Sequence, residues 1–230
     1  MSELVIFVGL INHHLEQMAK ASFERLLIEG VRDEPLGMLS NIAEINPLRS
    51  IQKGKEAVYI EMANLPTNGS FPTNWAVRAF SGGMKFKNGD TIMARITPCL
   101  ENGKTAYIDF LEEDEIAFGS TEYIVIAPKA NYCHEMFYFL ARNTDFVSYA
   151  VQNMNGSSGR QRVAGETIGA YELHIPPQEN IEEFAKIASP IMTLIAHNAL
   201  ESRNLTVLRD TLLPRLMSGE LSVADLGDAK

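Results

Sequence analysis

The sequence predicts an α+β fold, in which one globular domain with a mixed β-sheet and short helices is flanked by long helices that form an antiparallel, coiled-coil-like spacer. Three observations point there. Apolar residues recur at spacings of three and four near both ends of the chain. The middle carries short β-rich runs separated by Asn-Gly and Gly-Gly turns. Those runs follow one another without the regular helical spacers of a βαβ series. The expected boundaries are a helix over 1–34, the globular domain over 35–177, the long helix over 178–221 and a tail over 222–230.

Each element has its own justification. From Leu4 to Glu29 no Gly or Pro follows Gly9, and Ile11, Leu15, Met18, Ser22 and Leu26 keep a 4,3,4,4 spacing until Gly30 and Pro35 end the helix. The strand candidates are Ala57–Met62, Thr91–Ile96, Lys104–Ile108 and Thr121–Ala127, with turns at Asn68-Gly69, Gly82-Gly83, Asn88-Gly89-Asp90 and Asn102-Gly103. Glu135 to Tyr149 reads as one or two helices. After Pro176-Pro177, Ile181, Phe184, Ala188, Ile191 and Ile195 trace a coiled-coil seam, which Leu205, Leu208, Leu212 and Leu216 resume past polar Asn198 and Ser202. A helix from Asn180 to Met217 would run roughly 57 Å at about 1.5 Å per residue, with Pro190 as a point of kinking or splitting and Pro214 at its fraying end. Leu15, Met18, Ser22, Phe23 and Leu26 match Leu205, Leu208, Leu212, Leu213 and Leu216 at a constant offset of 190, four of the five pairs being apolar, as two copies of one spacer element would.

Composition narrows the class. Hydrophobic residues at 46% and charged residues at 21% are those of an ordinary globular chain. Cys99 and Cys133 are too few for a disulfide scaffold or a structural zinc site. The longest apolar run, Leu4 to Ile11, is far short of the ~20 residues that span a bilayer, and Glu3 stands where a signal peptide needs a basic residue. The chain is expected in the cytoplasm with reduced thiols and no membrane contact. Its net charge of −9 is uneven. Between Asn46 and Tyr107 eight basic residues (Arg49, Lys53, Lys55, Arg78, Lys85, Lys87, Arg95, Lys104) stand against four acidic ones (Glu56, Glu61, Asp90, Glu101), a local +4 that leaves −13 elsewhere.

No catalytic constellation emerges. Gly156-Ser157-Ser158-Gly159 lacks the spacing and setting of a nucleophile elbow, and there is no phosphate-binding glycine motif. His13, His14, His134, His174 and His197 form no metal pattern. The nuclease-like spacing of acid and lysine occurs only at Asp228-Ala229-Lys230, and Glu112-Glu113-Asp114-Glu115 has no glycine-centred cation loop. Neither a metal nor a cofactor is expected, which leaves a binding or assembly protein. Two segments suit nucleic acid. One contains Trp75, Arg78 and Lys85-Phe86-Lys87 in loop-like surroundings, fit for phosphate contacts and stacking. The other is Asn155–Arg162, whose glycines allow close approach to a phosphate while Arg160, Gln161 and Arg162 can read base edges.

The order of features resembles the specificity (S) subunit family of type I restriction-modification systems. The residues that carry the resemblance are Asn88-Gly89-Asp90-Thr91-Ile92-Met93-Ala94-Arg95-Ile96-Thr97, Asn102-Gly103-Lys104, Phe118–Tyr123, Gly156–Val163 and Ile168 through Ile175-Pro176-Pro177. The ending Leu212-Leu213-Pro214-Arg215-Leu216-Met217-Ser218-Gly219-Glu220-Leu221 is the most specific piece, and Asn12 to Ala19 is similar to the tail of the same helix type. The resemblance implies a half-subunit with one target recognition domain, non-catalytic, reading one half of a bipartite site in double-stranded DNA. It also implies a methyltransferase (M) subunit that methylates adenine with S-adenosylmethionine, a translocating restriction (R) subunit, and a second copy or another half-subunit paired through antiparallel helices. Expected DNA contacts, chosen from charge and loop setting, are Lys53, Lys55, Trp75, Arg78, Lys85, Lys87, Arg160, Gln161 and Arg162. Expected spacer contacts are Leu15, Met18, Ile191, Ile195, Leu205, Leu208, Leu212 and Leu216. The alternative is a helix-mediated assembly protein of the same fold without DNA recognition.

Overall fold

The computed structural model describes residues 3–157 and 159–220, so Ser158, Leu221 and the Asp228-Ala229-Lys230 spacing lie outside the described residues. The first helix, α1 (Glu3–Phe23), continues through a π turn at Glu24–Ile28 and a 3-10 turn at Glu29–Val31. The last, α6 (Gln178–Met217), is one helix of 40 residues, about 60 Å long at ~1.5 Å per residue. It is not split at Pro190. That residue lies on the exposed side, where the carbonyl it leaves unpaired can meet water. Pro214 lies in the last turn of α6, and the helix ends at Met217, as expected.

The two helices pack antiparallel. Asn180 Nδ2 donates to the Leu26 carbonyl at 2.9 Å, and Asn198 Nδ2 donates to Asn12 Oδ1 at 2.8 Å. Asn198, expected to interrupt the seam, thus finds a polar partner that fixes register. The buried face of α1 and its π turn keeps Leu26, and Leu15 packs on the core as expected, but the face is shifted at its middle. Glu16, Ala19 and Phe23 point inward, whereas Met18 is 60% exposed. The Tyr138 hydroxyl donates to Glu16 and gives that carboxylate a partner in the core. On α6, Ile181, Phe184, Ala188, Met192 and Ile195 are buried and Ile191 is half-buried. Leu212 and Leu216 are half-buried, while Leu205 and Leu208 remain 42% and 53% exposed.

Between the helices the chain enters and leaves the domain through one ribbon. β1 (Leu36–Met38) pairs antiparallel with β10 (Glu172–His174). A short α2 (Leu39–Ile42) leads into β2 (Ala43–Ile45). Two four-stranded sheets follow. One has the order β2-β9-β6-β7, with β6 (Thr91–Ala94), β7 (Thr105–Tyr107) and β9 (Tyr123–Pro128), all antiparallel. The other has the order β4-β3-β8-β5, with β3 (Glu56–Ile60), β4 (Ala76–Ala79), β5 (Met84–Phe86) and β8 (Ala117–Gly119). Its β3–β8 pair is parallel, so the sheet is mixed. Arg78 and Lys85, expected in loops, therefore lie in strands. β4 and β5 are short and lie either side of Ser81-Gly82-Gly83, so they carry too little alternation to announce themselves.

Apolar packing holds these layers in two clusters. Val58, Ile60, Phe86, Ile92, Tyr123 and Val125 fill the space between the sheets. On the other side of the first sheet, Met93, Ile124 and Ile126 pack under α3 (Glu135–Ala141), α4 (Thr144–Gln152), α5 (Gly165–Gly169) and the two long helices. Phe23, Phe139 and Phe184 meet there with centroids about 6 Å apart, joining both long helices to the domain. Glu135 to Tyr149 resolves into two helices because Asn143 caps the second, its Oδ1 accepting from the Asp145 and Phe146 amides. Among the described residues no helix is long and apolar enough to cross a membrane.

Candidate nucleic-acid interface

The residues expected to contact DNA fall at two ends of the sheets. β6 starts beside the Lys87–Asp90 turn, where Asp90 accepts from the Lys87 amide and forms an ion pair with Arg49. Burial raises the Asp90 carboxyl pKa and outweighs the opposite pull of Arg49. Lys53 and Lys55 precede β3 at this same end, where a cavity is lined by Lys55, Glu56, Asp114 and Glu115. The basic excess read along the sequence thus meets the acidic run Glu112–Glu115 in space. Lys53, Lys55 and Lys87 are exposed, and the Lys55 carbonyl accepts from the amide of Phe80, whose ring lies beside Lys85.

At the opposite end β6 stops at Ala94, and the chain is gathered against two other segments. The Arg95 amide donates to the Glu122 carbonyl at 3.0 Å, the Val163 amide to the Arg95 carbonyl at 3.0 Å, and the Thr97 amide to the Gln161 carbonyl at 3.1 Å. Asn155 and Arg162 exchange both backbone hydrogen bonds at 2.9 Å, closing 155–162 into a hairpin. Gly156 and Gly159 take φ of +126° and +76° there, backbone that L side chains rarely adopt. The hairpin therefore brings Arg160, Gln161 and Arg162 together at the sheet end.

These three side chains are not equivalent. Arg162 Nε donates to both Glu122 carboxylate oxygens, at 2.9 and 2.8 Å, and its Nη2 donates to Oε1 at 2.7 Å. Its Nη1 donates to the Arg160 carbonyl at 3.1 Å. These charge-assisted bonds hold the Glu122 carboxyl below its usual pKa, with Arg95 adding to the pull. The Arg160 guanidinium and the Gln161 amide have no side-chain partner among the described residues, and Arg160 is exposed. Below them, Arg95 Nε and Thr97 Oγ1 are buried without a partner among the described residues.

The outer face of the second sheet adjoins this end. The Arg78 guanidinium lies 4.5 Å over the Tyr59 ring, Tyr59 packs on Phe118, Phe118 on Phe80, and Lys85 Nζ lies 5.1 Å from the Phe80 centroid. Arg78 is also tied to Glu61 at 2.6 Å. A cleft of about 340 Å³ opens between Tyr59, Arg78, Gly82, Gly83, Ser120 and Thr121. Gly83 is required here, since a Cβ would stand 2.0 Å from the Gly119 carbonyl oxygen. Ser120 links cleft to hairpin, its Oγ accepting from the Glu122 amide at 3.1 Å. Trp75 has a different role from a free stacking platform. It packs on Phe110 with centroids 4.2 Å apart and carries the Arg203 guanidinium of α6 at 4.1 Å. Its ring ties the domain to the helix.

The glycine-rich, arginine-bearing segment is legible in the sequence, whereas its closure into a hairpin and its partner Glu122 are not. Glu122 lies within Phe118–Tyr123, yet nothing local signals a contact across 40 positions. No group of three or more His, Cys, Asp or Glu side chains among the described residues is arranged to hold a metal.

Comparison with known proteins places this architecture. Residues 43–208 match the family model described as the type I restriction modification DNA specificity domain. The specificity subunits of the type I restriction enzymes EcoAI and EcoEI of Escherichia coli are 28% and 26% identical over 176 residues, which is 74% of this chain but 29% of each of theirs. Among solved structures, the S subunit of a type I restriction-modification system from M. genitalium gives a TM-score of 0.56 at 15% identity, covering 93% of this chain and 57% of that one. The HsdS subunit from Thermoanaerobacter tengcongensis gives 0.50 at 11%, covering 95% and 54%. The chain therefore spans less than a third of the Escherichia coli relatives' length and just over half of the solved ones. Since the family model covers most of the sequence, the chain belongs to the type I restriction-modification DNA specificity family.

Proposed function

We propose that this chain is a non-catalytic DNA-recognition half-subunit of a type I restriction-modification complex, reading one half of a bipartite site in double-stranded DNA. One observation carries the reading: the specificity-domain match covers the domain that presents Arg160 and Gln161 on a hairpin at an open sheet end. In this reading Arg160, Gln161, Arg78 and Lys85 face DNA, with the Gly82–Gly83 and Ser120–Thr121 backbone close to phosphate. Lys53, Lys55 and Lys87 at the acidic end, and Trp75 under Arg203, contribute less.

The helices support a second proposal, pairing with another copy or another half-subunit. Ile6, Phe7, Leu10, Ile11 and Met18 on α1, and Leu205, Val207, Leu208 and Leu213 on α6, are exposed apolar residues in helices that one chain leaves half-covered. Two identical copies would set two recognition domains at fixed spacing and read an inverted repeat. M and R subunits would dock on the paired scaffold, supplying catalysis and S-adenosylmethionine; this chain itself needs no cofactor and works in the cytoplasm without membrane contact.

A salt titration tests the DNA reading. A labelled mixed-sequence duplex should bind with log K falling linearly in log salt, and Arg160→Glu should weaken binding and flatten the slope by about one to two ions. An unchanged slope in that variant would rule out a role for the hairpin.

A further inference from the structure

We infer that Glu122 and Arg162 act together as a clamp that holds the 155–162 hairpin in its reading pose and presents Arg160 and Gln161 to the bases. This rests on the DNA-recognition reading and divides its labour.

Arg162 spends three of its five N–H donors inside the protein. Nε and Nη2 are committed to Glu122, and Nη1 to the Arg160 carbonyl. One N–H on each of Nη1 and Nη2 stays free, and the direction of the whole guanidinium is set by Glu122, a carboxylate that is 26% exposed and flanked by Arg95. Releasing it would leave Glu122 facing DNA as an unneutralised acid beside phosphates. Arg160, two positions away, is exposed with no competing acid in contact among the described residues.

The clamp also explains how a glycine-rich turn is held in one place. Gly156 and Gly159 widen the accessible backbone states of 155–162. The Asn155–Arg162 backbone pair closes the base of the hairpin, and the Thr97 and Val163 amides lay it along the end of β6. The ion pair then ties that base sideways to the residue preceding β9. An ordered loop loses less conformational entropy on binding than a free one and presents its side chains in one register, which favours discrimination between sequences over raw attraction.

The inference makes the two residues a unit, which single and double substitutions of the whole chain can resolve. The probe is the duplex that wild-type protein enriches from a randomised duplex library, set against a scrambled duplex of equal composition. Glu122→Ala and Arg162→Ala should each lower the ratio of specific to scrambled binding by about tenfold, and the double variant should lose no more than either single one. Amide exchange at Asn155, Arg160 and Arg162 should rise in both, without DNA present, while the urea midpoint moves little. Arg160→Ala should leave that exchange unchanged and alter or relax the enriched sequence. If Arg162→Ala loses discrimination while Glu122→Ala keeps or improves it, Arg162 reads bases itself and the inference is overturned. Unchanged hairpin exchange in Glu122→Ala overturns the clamp directly. Should wild type enrich no sequence, the DNA reading fails and with it the role of Arg160, while the exchange measurement still decides whether the clamp exists.

Discussion

Replacing Tyr138 with Phe removes one oxygen from the centre of the protein and tests how the domain is fixed to its helices. Tyr138 is fully buried, and its hydroxyl donates to Glu16, itself only 7% exposed on α1. Burial together with the adjacent carboxylate raises the tyrosine pKa well above its usual value, so the hydroxyl stays a donor across the working range. Without that donor a nearly buried carboxylate keeps its desolvation cost and loses its hydrogen bond. Bonds to charged groups contribute about 1.5–3 kcal/mol, so Tyr138→Phe should destabilise by about 2 kcal/mol, roughly a 30-fold fall in the folded-to-unfolded ratio. Urea unfolding at fixed protein concentration, followed by far-UV circular dichroism, measures it. The control is Glu16→Met with Tyr138→Phe, which removes both polar partners and should recover most of the loss. A single variant within 0.5 kcal/mol of wild type, or a double variant no better than the single, would refute the reasoning.

Two further outcomes follow from the same structure. Burial, aided by Glu135, pushes the Asp109 carboxyl up to about 7. The unfolded chain therefore ionises first, and wild type should lose stability as pH rises from about 4 to about 7, with Asp109→Asn flattening that slope in urea titrations at each pH. If the helices pair two copies, Leu205→Glu with Leu208→Glu buries charge at the contact and should raise the dimer dissociation constant at least a hundredfold by sedimentation, while the single-chain unfolding midpoint stays put.

What could be read from the sequence divides along the range of the signal. Periodicity over many residues identified both outer helices, and continuous β-branched runs identified β6 and β9, which are buried on both faces. Strands of three residues such as β5 and β8 had no room to show a period. Long-range pairings overturned local inference three times. Tyr138 gives Glu16 a partner in the core, while Met18 stays exposed. Arg203 covered the one tryptophan. Asp114 and Glu115 met the lysine-rich segment that looked free along the chain. The 155–162 segment is legible as a DNA-facing candidate because glycines and arginines are informative where they stand, whereas its hairpin pairing and its partner Glu122 emerge only in the folded chain.

Sequence selection tests the central claim most directly. Wild-type protein should be equilibrated with a library of randomised duplexes at moderate salt, and the bound fraction sequenced. Recognition by this domain predicts enrichment of one short motif, with inverted copies at fixed spacing wherever two chains pair, and relaxation of that motif in Arg160→Ala. A bound fraction with the same sequence composition as the input library would contradict it.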